Sequence, residues 1–284
     1  EVTMTVGGGA TNAGSSFLRK GLQVGVVAKR GDDGVGEIIK QQLDKYGMSE
    51  DLVVVEKGGR SALSVILVAS DGGRSILTFR GVSKELESNE IDWEKIGGAK
   101  WFYISSLGGK MNLLEDLVSF AHSKGIKVAV NPGKAELIEK VKLIKLMAKI
   151  EVVLLNRMEL ASLLEVSYEE KEKMLVKAGE LVGEELIVVV TEGKEGSVVV
   201  KKGLRVRAEA FKVKSIDDTG AGDAFGSGFV YGLVKGLSLA ESLKIASANA
   251  AGEVMKMGVK EGLLNEKELT KWMKRELEIV EEKV

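Results

Sequence analysis

The stretch Ser215-Ile216-Asp217-Asp218-Thr219-Gly220-Ala221-Gly222-Asp223-Ala224-Phe225-Gly226 decides how this 284-residue chain is read. An extended segment over residues 211–216 runs into a Gly-Ala-Gly turn, and a segment of helical period follows over 222–234. The first turn of a helix has no intrahelical acceptor for its N–H groups, so it offers those donors and the positive end of the dipole to an anion. Asp223 stands in that first turn. A carboxylate there can take a proton from a hydroxyl while the backbone amides hold a phosphoryl group. The plainer alternative is that Asp223 simply favours a helix N-terminus and that Gly220 and Gly222 allow a tight turn. The length of the run at a strand–helix junction favours the anion site.

Outward from that junction, short Val/Ile-rich runs alternate with segments of helical period. Residues 24–28, 100–105, 126–131, 152–155 and 186–191 read as buried strands, and 35–46, 113–124, 135–148, 158–165 and 169–182 as helices. Such alternation implies right-handed crossovers and a mostly parallel sheet with helices on both faces, an α/β fold. Further helices are expected at 239–257 and 266–280, the last behind an Asn265/Glu268 capping pair. Residues 61–69 and 74–79 flank Ser70-Asp71-Gly72-Gly73 and predict a β-hairpin, either an addition to the sheet edge or a flap over a site. With no repeat and no Ser/Pro-rich linker, one domain over 1–284 is expected, with a small lid around 60–81.

Composition narrows the function classes. The chain has 41 basic and 42 acidic side chains, a net charge of −1, which excludes a broadly basic nucleic-acid or membrane-surface binder. The absence of Cys removes disulfides, zinc thiolates and cysteine nucleophiles, and a single His removes a histidine metal cluster. No apolar run approaches a spanning helix, and the N-terminus lacks a signal-peptide pattern, so a cytoplasmic location is expected. Gly is 35 residues and Pro 1, a balance suited to backbone that approaches a ligand closely.

The run Asp217-Asp218-Thr219-Gly220-Ala221-Gly222-Asp223 resembles the D-x-T-G-A-G-D signature of the ribokinase-like (PfkB) family of carbohydrate and nucleoside kinases. The resemblance implies a three-layer ribokinase-like fold and ATP-dependent phosphorylation of a sugar or polyol hydroxyl. It makes Asp223 the catalytic base, and Gly220, Ala221 and Gly222 the anion hole. Asp217 falls near the monovalent-cation site of those members that have one, which brings in K⁺. Asn156-Arg157-Met158-Glu159 resembles the family's N-x-x-E motif, which implies that Asn156 and Glu159 serve Mg²⁺ and phosphate, Glu159 through water. Read alone, Asn156 and Glu159 are an ordinary helix capping pair. Thr191, Gly193 and Gly196 match a T-x-G-x-x-G loop lining the nucleotide, or equally a turn into residues 197–200. Asn249 falls where members place a residue near the adenine.

Gly7, Gly8 and Asn12 match a G-G-x-x-x-N segment whose helix start contacts the acceptor's hydroxyls; members carry a strand and an acceptor-binding Asp ahead of it, and six residues precede Gly7 here. Position 218 is Asp where many members carry Thr or Pro. The resemblance further implies a homodimer through the lid. Lys29, Arg30 and Arg80 are the loose candidates for an anionic acceptor. Three alternatives compete: a nucleoside kinase of the same family, a catalytically silent sugar or nucleotide sensor, and a dinucleotide oxidoreductase. The last lacks a strand-borne G-x-G-x-x-G, and no G-x-x-x-x-G-K-[ST] is present for a P-loop.

Overall fold

Side-chain alternation along the central strands divides the apolar residues between two cores. Val128, Val130, Val153, Leu155, Val188, Val190, Val198 and Val200 face one core, while Ala129, Val152, Leu154, Ile187, Val189 and Val199 face the other. A strand has a side-chain period of two, so a sheet with helices on both faces needs apolar residues at every position. The computed structural model describes residues 4–68 and 74–284.

Two short parallel strands come first, β1 (Ala28–Gly31) and β2 (Val53–Glu56). The hairpin β3 (Leu63–Val68) and β4 (Arg74–Phe79) forms a separate two-stranded sheet with Ile66 opposite Ile76. The turn expected at 70–73 lies outside the described residues. The main sheet holds β5 (Trp101–Ser105), β6 (Lys127–Asn131), β7 (Val152–Asn156), β8 (Ile187–Thr191), β9 (Ser197–Lys201), β10 (Leu204–Ala208) and β11 (Ile279–Lys283), in the order β11-β10-β9-β8-β7-β6-β5. Strands β5 to β8 are parallel, and β9 to β11 add an antiparallel edge.

Helices Met111–Lys124, Lys140–Met147, Arg157–Leu164 and Lys171–Leu181 supply the core on one face. On the other face lie Gly9–Arg19, Ala221–Val234, Leu239–Val254 and Glu266–Met273. Ala221–Val234 and Leu239–Val254 touch closely: a Cβ on Gly228 would lie 2.9 Å from the Ala246 Cα, and one on Gly232 would lie 2.8 Å from the Ser242 Cα. Only glycine permits that approach.

Three expected elements differ from the structure. Residues 24–27 are not strand, with Val26 alone of them buried, because pairing with β2 begins only at Ala28, opposite Val53. The helix expected over 135–148 is broken at Glu139, whose ψ of 39° leaves the helical region between Lys134–Ile138 and Lys140–Met147. The helix expected over 266–280 stops at Met273, and Ile279–Lys283 turns into an edge strand, with Glu282 opposite Arg205 and within 3.9 Å of Arg207. That pairing joins segments far apart in sequence, so local periodicity carries no sign of it.

Candidate active site

The C-terminal ends of the parallel strands gather polar residues along one edge. Ser105 stands opposite Asn131, and Asn156 opposite Thr191. Open α/β sheets bind ligands outside that edge. The start of Ala221–Val234 reaches the same place: a Cβ built on Gly9 would lie 2.6 Å from Ser105 Cβ and 3.2 Å from Asp223 Oδ1. Gly9, Ser105 and Asp223 thus meet, and only a residue without a side chain fits between the other two.

Gly220 precedes the helix in the left-handed conformation, φ 82°, and no side chain caps this end. A Cβ on Gly222 would meet nothing within 4 Å, so the space over the first turn is open. The uncapped N–H groups and the dipole make this a place for negative charge. Asp223 is half-buried there. Burial pushes its carboxyl above the ordinary aspartate range, opposed by a hydrogen bond from Asn12 and by the charge of Lys260. Asp217 closes the approach to the helix, its carboxylate accepting from Thr219 N at 2.8 Å and Gly258 N at 3.2 Å.

Asn156 and Glu159 form a reciprocal capping box on Arg157–Leu164: Asn156 Oδ1 accepts from Glu159 N at 2.9 Å, and Glu159 Oε2 accepts from Asn156 N at 2.8 Å. Burial raises the Glu159 carboxyl above its usual range. Among the described residues no three His, Asp or Glu side chains converge as a metal cage. The donors present fit Mg²⁺ in the manner usual for nucleotide sites, where one carboxylate and several waters join oxygens of the phosphates. Thr191 ends β8 opposite Ser197, and the turn between them carries Gly193 (φ 58°) and Gly196 (φ 100°), so the turn into β9 is present.

The acceptor-side residues divide. Gly7 is exposed, and Gly8 (φ 93°) is the N-cap of Gly9–Arg19. Asn12 does not present a free amide: its Nδ2 donates to Asp223 Oδ2 at 2.8 Å and its Oδ1 accepts from Lys260 Nζ at 2.6 Å. Asn249, expected near the adenine, lies in the interior. It is fully buried, with Oδ1 accepting from Lys20 Nζ and Leu264 N while Nδ2 donates to Ser16 Oγ and Ala224 O. Every hydrogen-bonding site of that amide is filled inside the protein. Lys29 pairs with Glu56 and Glu90, and Arg30 with Glu50, so neither is available to an anionic acceptor.

Sequence reasoning missed Ser105, Tyr103 and Lys260. The Tyr103 ring meets Phe17 edge-on. Its buried hydroxyl has no hydrogen-bond partner, and burial followed by the nearby Asp223 charge holds the phenol well above its usual pKa. Lys260 lies in a loop with no motif of its own. Only the fold brings it beneath Asp223.

The chain matches the description "pfkB family carbohydrate kinase" over residues 1–268. It is 28% identical to a sugar kinase of Archaeoglobus fulgidus over 255 residues, covering 86% of this chain and 96% of that protein. An ATP-dependent ribose-1-phosphate kinase of Halopiger xanaduensis is 27% identical over 248 residues, covering 86% and 79%. Among solved structures, a ribokinase from Thermotoga maritima superposes with a TM-score of 0.80 at 22% identity, covering 95% of this chain and 88% of that one, which bears out the fold. No described helix is long and apolar enough to cross a membrane. A strand edge that meets an uncapped helix at Asp223, carried on this three-layer sheet and matched by the family profile over nearly the whole chain, places the protein in the pfkB family of carbohydrate kinases.

Proposed function

We propose that the chain moves the terminal phosphoryl group of ATP to a hydroxyl of a small sugar or polyol, with Asp223 as the base. The observation that carries this is a half-buried carboxylate of raised pKa in the first turn of an uncapped helix, beside Gly9 and Ser105. Asp223 accepts the hydroxyl proton as that oxygen attacks phosphorus, and a raised pKa makes the carboxylate a better base near neutral pH. The amides of Gly220, Ala221 and Gly222 receive the negative charge of the transferring group. Bound Mg-ATP supplies the phosphoryl group and the cation that offsets its charge. Glu159, and Asn156 through the capping box, hold the metal and phosphate end. Thr191, Gly193 and Gly196 line the nucleotide, Gly7 and Gly8 offer bare backbone to the acceptor, and Asp217 belongs to a K⁺ site. The hairpin β3–β4 serves as lid and as the contact between two copies of a cytoplasmic enzyme.

A second reading of the acceptor rests on one cavity of about 370 Å³ at the base of the hairpin, lined by Arg60, Arg80 and Lys84 together with Phe79 and Glu85. None of the three cations makes an ion pair with another described residue, which suits a phosphorylated sugar such as the substrate of the Halopiger relative.

The test is ADP release with Mg-ATP against sugars, sugar phosphates, polyols and nucleosides, in potassium and in choline. A sugar or polyol hit that Asp223→Asn abolishes supports the assignment. Turnover confined to nucleosides replaces the acceptor class, and ATP binding without turnover on any acceptor makes the protein a sensor.

A further inference from the structure

Asn12 lies between two groups that can each do only one thing. A carboxylate accepts and an ammonium donates, so an amide joining them has a single satisfied orientation, oxygen to the ammonium and nitrogen to the carboxylate. That orientation is present, with Lys260 Nζ to Asn12 Oδ1 at 2.6 Å and Asn12 Nδ2 to Asp223 Oδ2 at 2.8 Å. We propose that Lys260 is a positioning residue for phosphoryl transfer: it locks the Asn12 amide so that Asn12 aims one oxygen of Asp223 and leaves the other for the acceptor hydroxyl. The proposal rests on Asp223 being the base.

Four further observations support it. Lys260 has 0% of its surface exposed, although an ammonium in a protein interior is costly unless something requires it. Its remaining partners hold it from other elements: the Val6 carbonyl accepts from Nζ, and the Tyr46 ring centroid lies 5.5 Å away. The acidic groups around it are Asp223, Glu253 on Leu239–Val254, and its neighbour Glu261. Those charges partly offset burial, which brings Lys260 down to about 8. Asp223 Oδ1, the oxygen not taken by Asn12, is the one that faces Gly9, 3.2 Å from a Cβ built there.

Lys260→Met keeps the volume and removes the donor, and Asn12→Leu cuts the link at its middle. Two readouts are taken on each variant and on the double variant: kcat against pH, and the carbon-13 titration of the Asp223 carboxyl. Loss of Lys260 is expected to lower kcat on the order of tenfold with the KM for ATP unchanged. It moves the Asp223 titration and the acid limb of kcat upward by on the order of one pH unit. The double variant is expected to match Asn12→Leu alone. Additive losses overturn the relay, as does a folded Lys260→Met protein whose Asp223 titration is unmoved. If Lys260→Met does not fold, an unchanged titration in Asn12→Leu overturns it equally. An active Asp223→Asn enzyme would instead sink the assignment of the base, whatever the titration shows.

Discussion

The two ends of the candidate site are built in opposite ways. At the phosphoryl end, Asp223, Asn12, Lys260, Ser16, Lys20, Ser227 and Asn249 are joined by hydrogen bonds across three helices and a loop. At the end proposed for the acceptor, the hairpin leaves Val65, Leu67, Leu77 and Phe79 on one face, and Ile66 and Ile76 on the other, all more than 40% exposed. A buried polar network fixes geometry before a ligand arrives. An apolar ribbon without a partner gains its burial from whatever it closes on. On the function proposed above, the contrast separates a rigid region for chemistry from an open one for selection.

The sharpest way to break this contrast is at the base. Asp223→Asn should cut kcat by about 10²–10⁴-fold while the affinity for ATP, measured by calorimetry, holds. Near-normal turnover would remove the chemical meaning of the rigid end. Asn249→Ala should destabilise the fold by on the order of 3 kcal/mol in urea, because it strips partners from a buried Lys20 and from Leu264 N. A weaker grip on ATP at unchanged stability would return Asn249 to the adenine. Gly228→Val should cost about 1–3 kcal/mol, since its Cβ meets the Ala246 backbone.

Lys20 sharpens the contrast through pH. Burial, and after it Arg19, lower Lys20 to about 7 from 10.5, opposed by Glu253. Between those values the unfolded chain binds the extra proton, so Lys20's share of stability rises with pH from about 7 to about 10.5. Denaturation of wild type and Lys20→Met across that range should show the wild type gaining on the variant. The smallest effect belongs to the hairpin: Leu77→Ser should leave stability within about 0.5 kcal/mol while raising the acceptor's KM. An equal loss of stability would mean that the ribbon is already packed.

The parallel strands were legible because a sheet buried on both faces writes continuous Val/Ile runs, as at 152–155 and 186–191. The helix start at Asp223 was legible because glycine and aspartate at fixed offsets carry conformational information, although the segment before it, residues 209–220, forms no strand. β11 was not, since Ile279–Lys283 becomes a strand only against β10, more than seventy residues earlier in the sequence. The same limit hid Lys260, which has no local pattern and acquires its role through contacts with Asn12 and Val6. Asn249 shows the converse: its place in the motif order is visible in the sequence, yet burial decides what its amide can touch.

The glycine contacts between Ala221–Val234 and Leu239–Val254 have a consequence for how such a protein could be redesigned. A helix seated on a neighbouring backbone has no volume to trade, so its inner face cannot be varied by small steps. The hairpin, whose side chains touch little, can be exchanged position by position. If the hairpin is the lid proposed above, new acceptors are therefore to be sought by diversifying β3 and β4, with the helix that carries Asp223 left as the fixed half of the library.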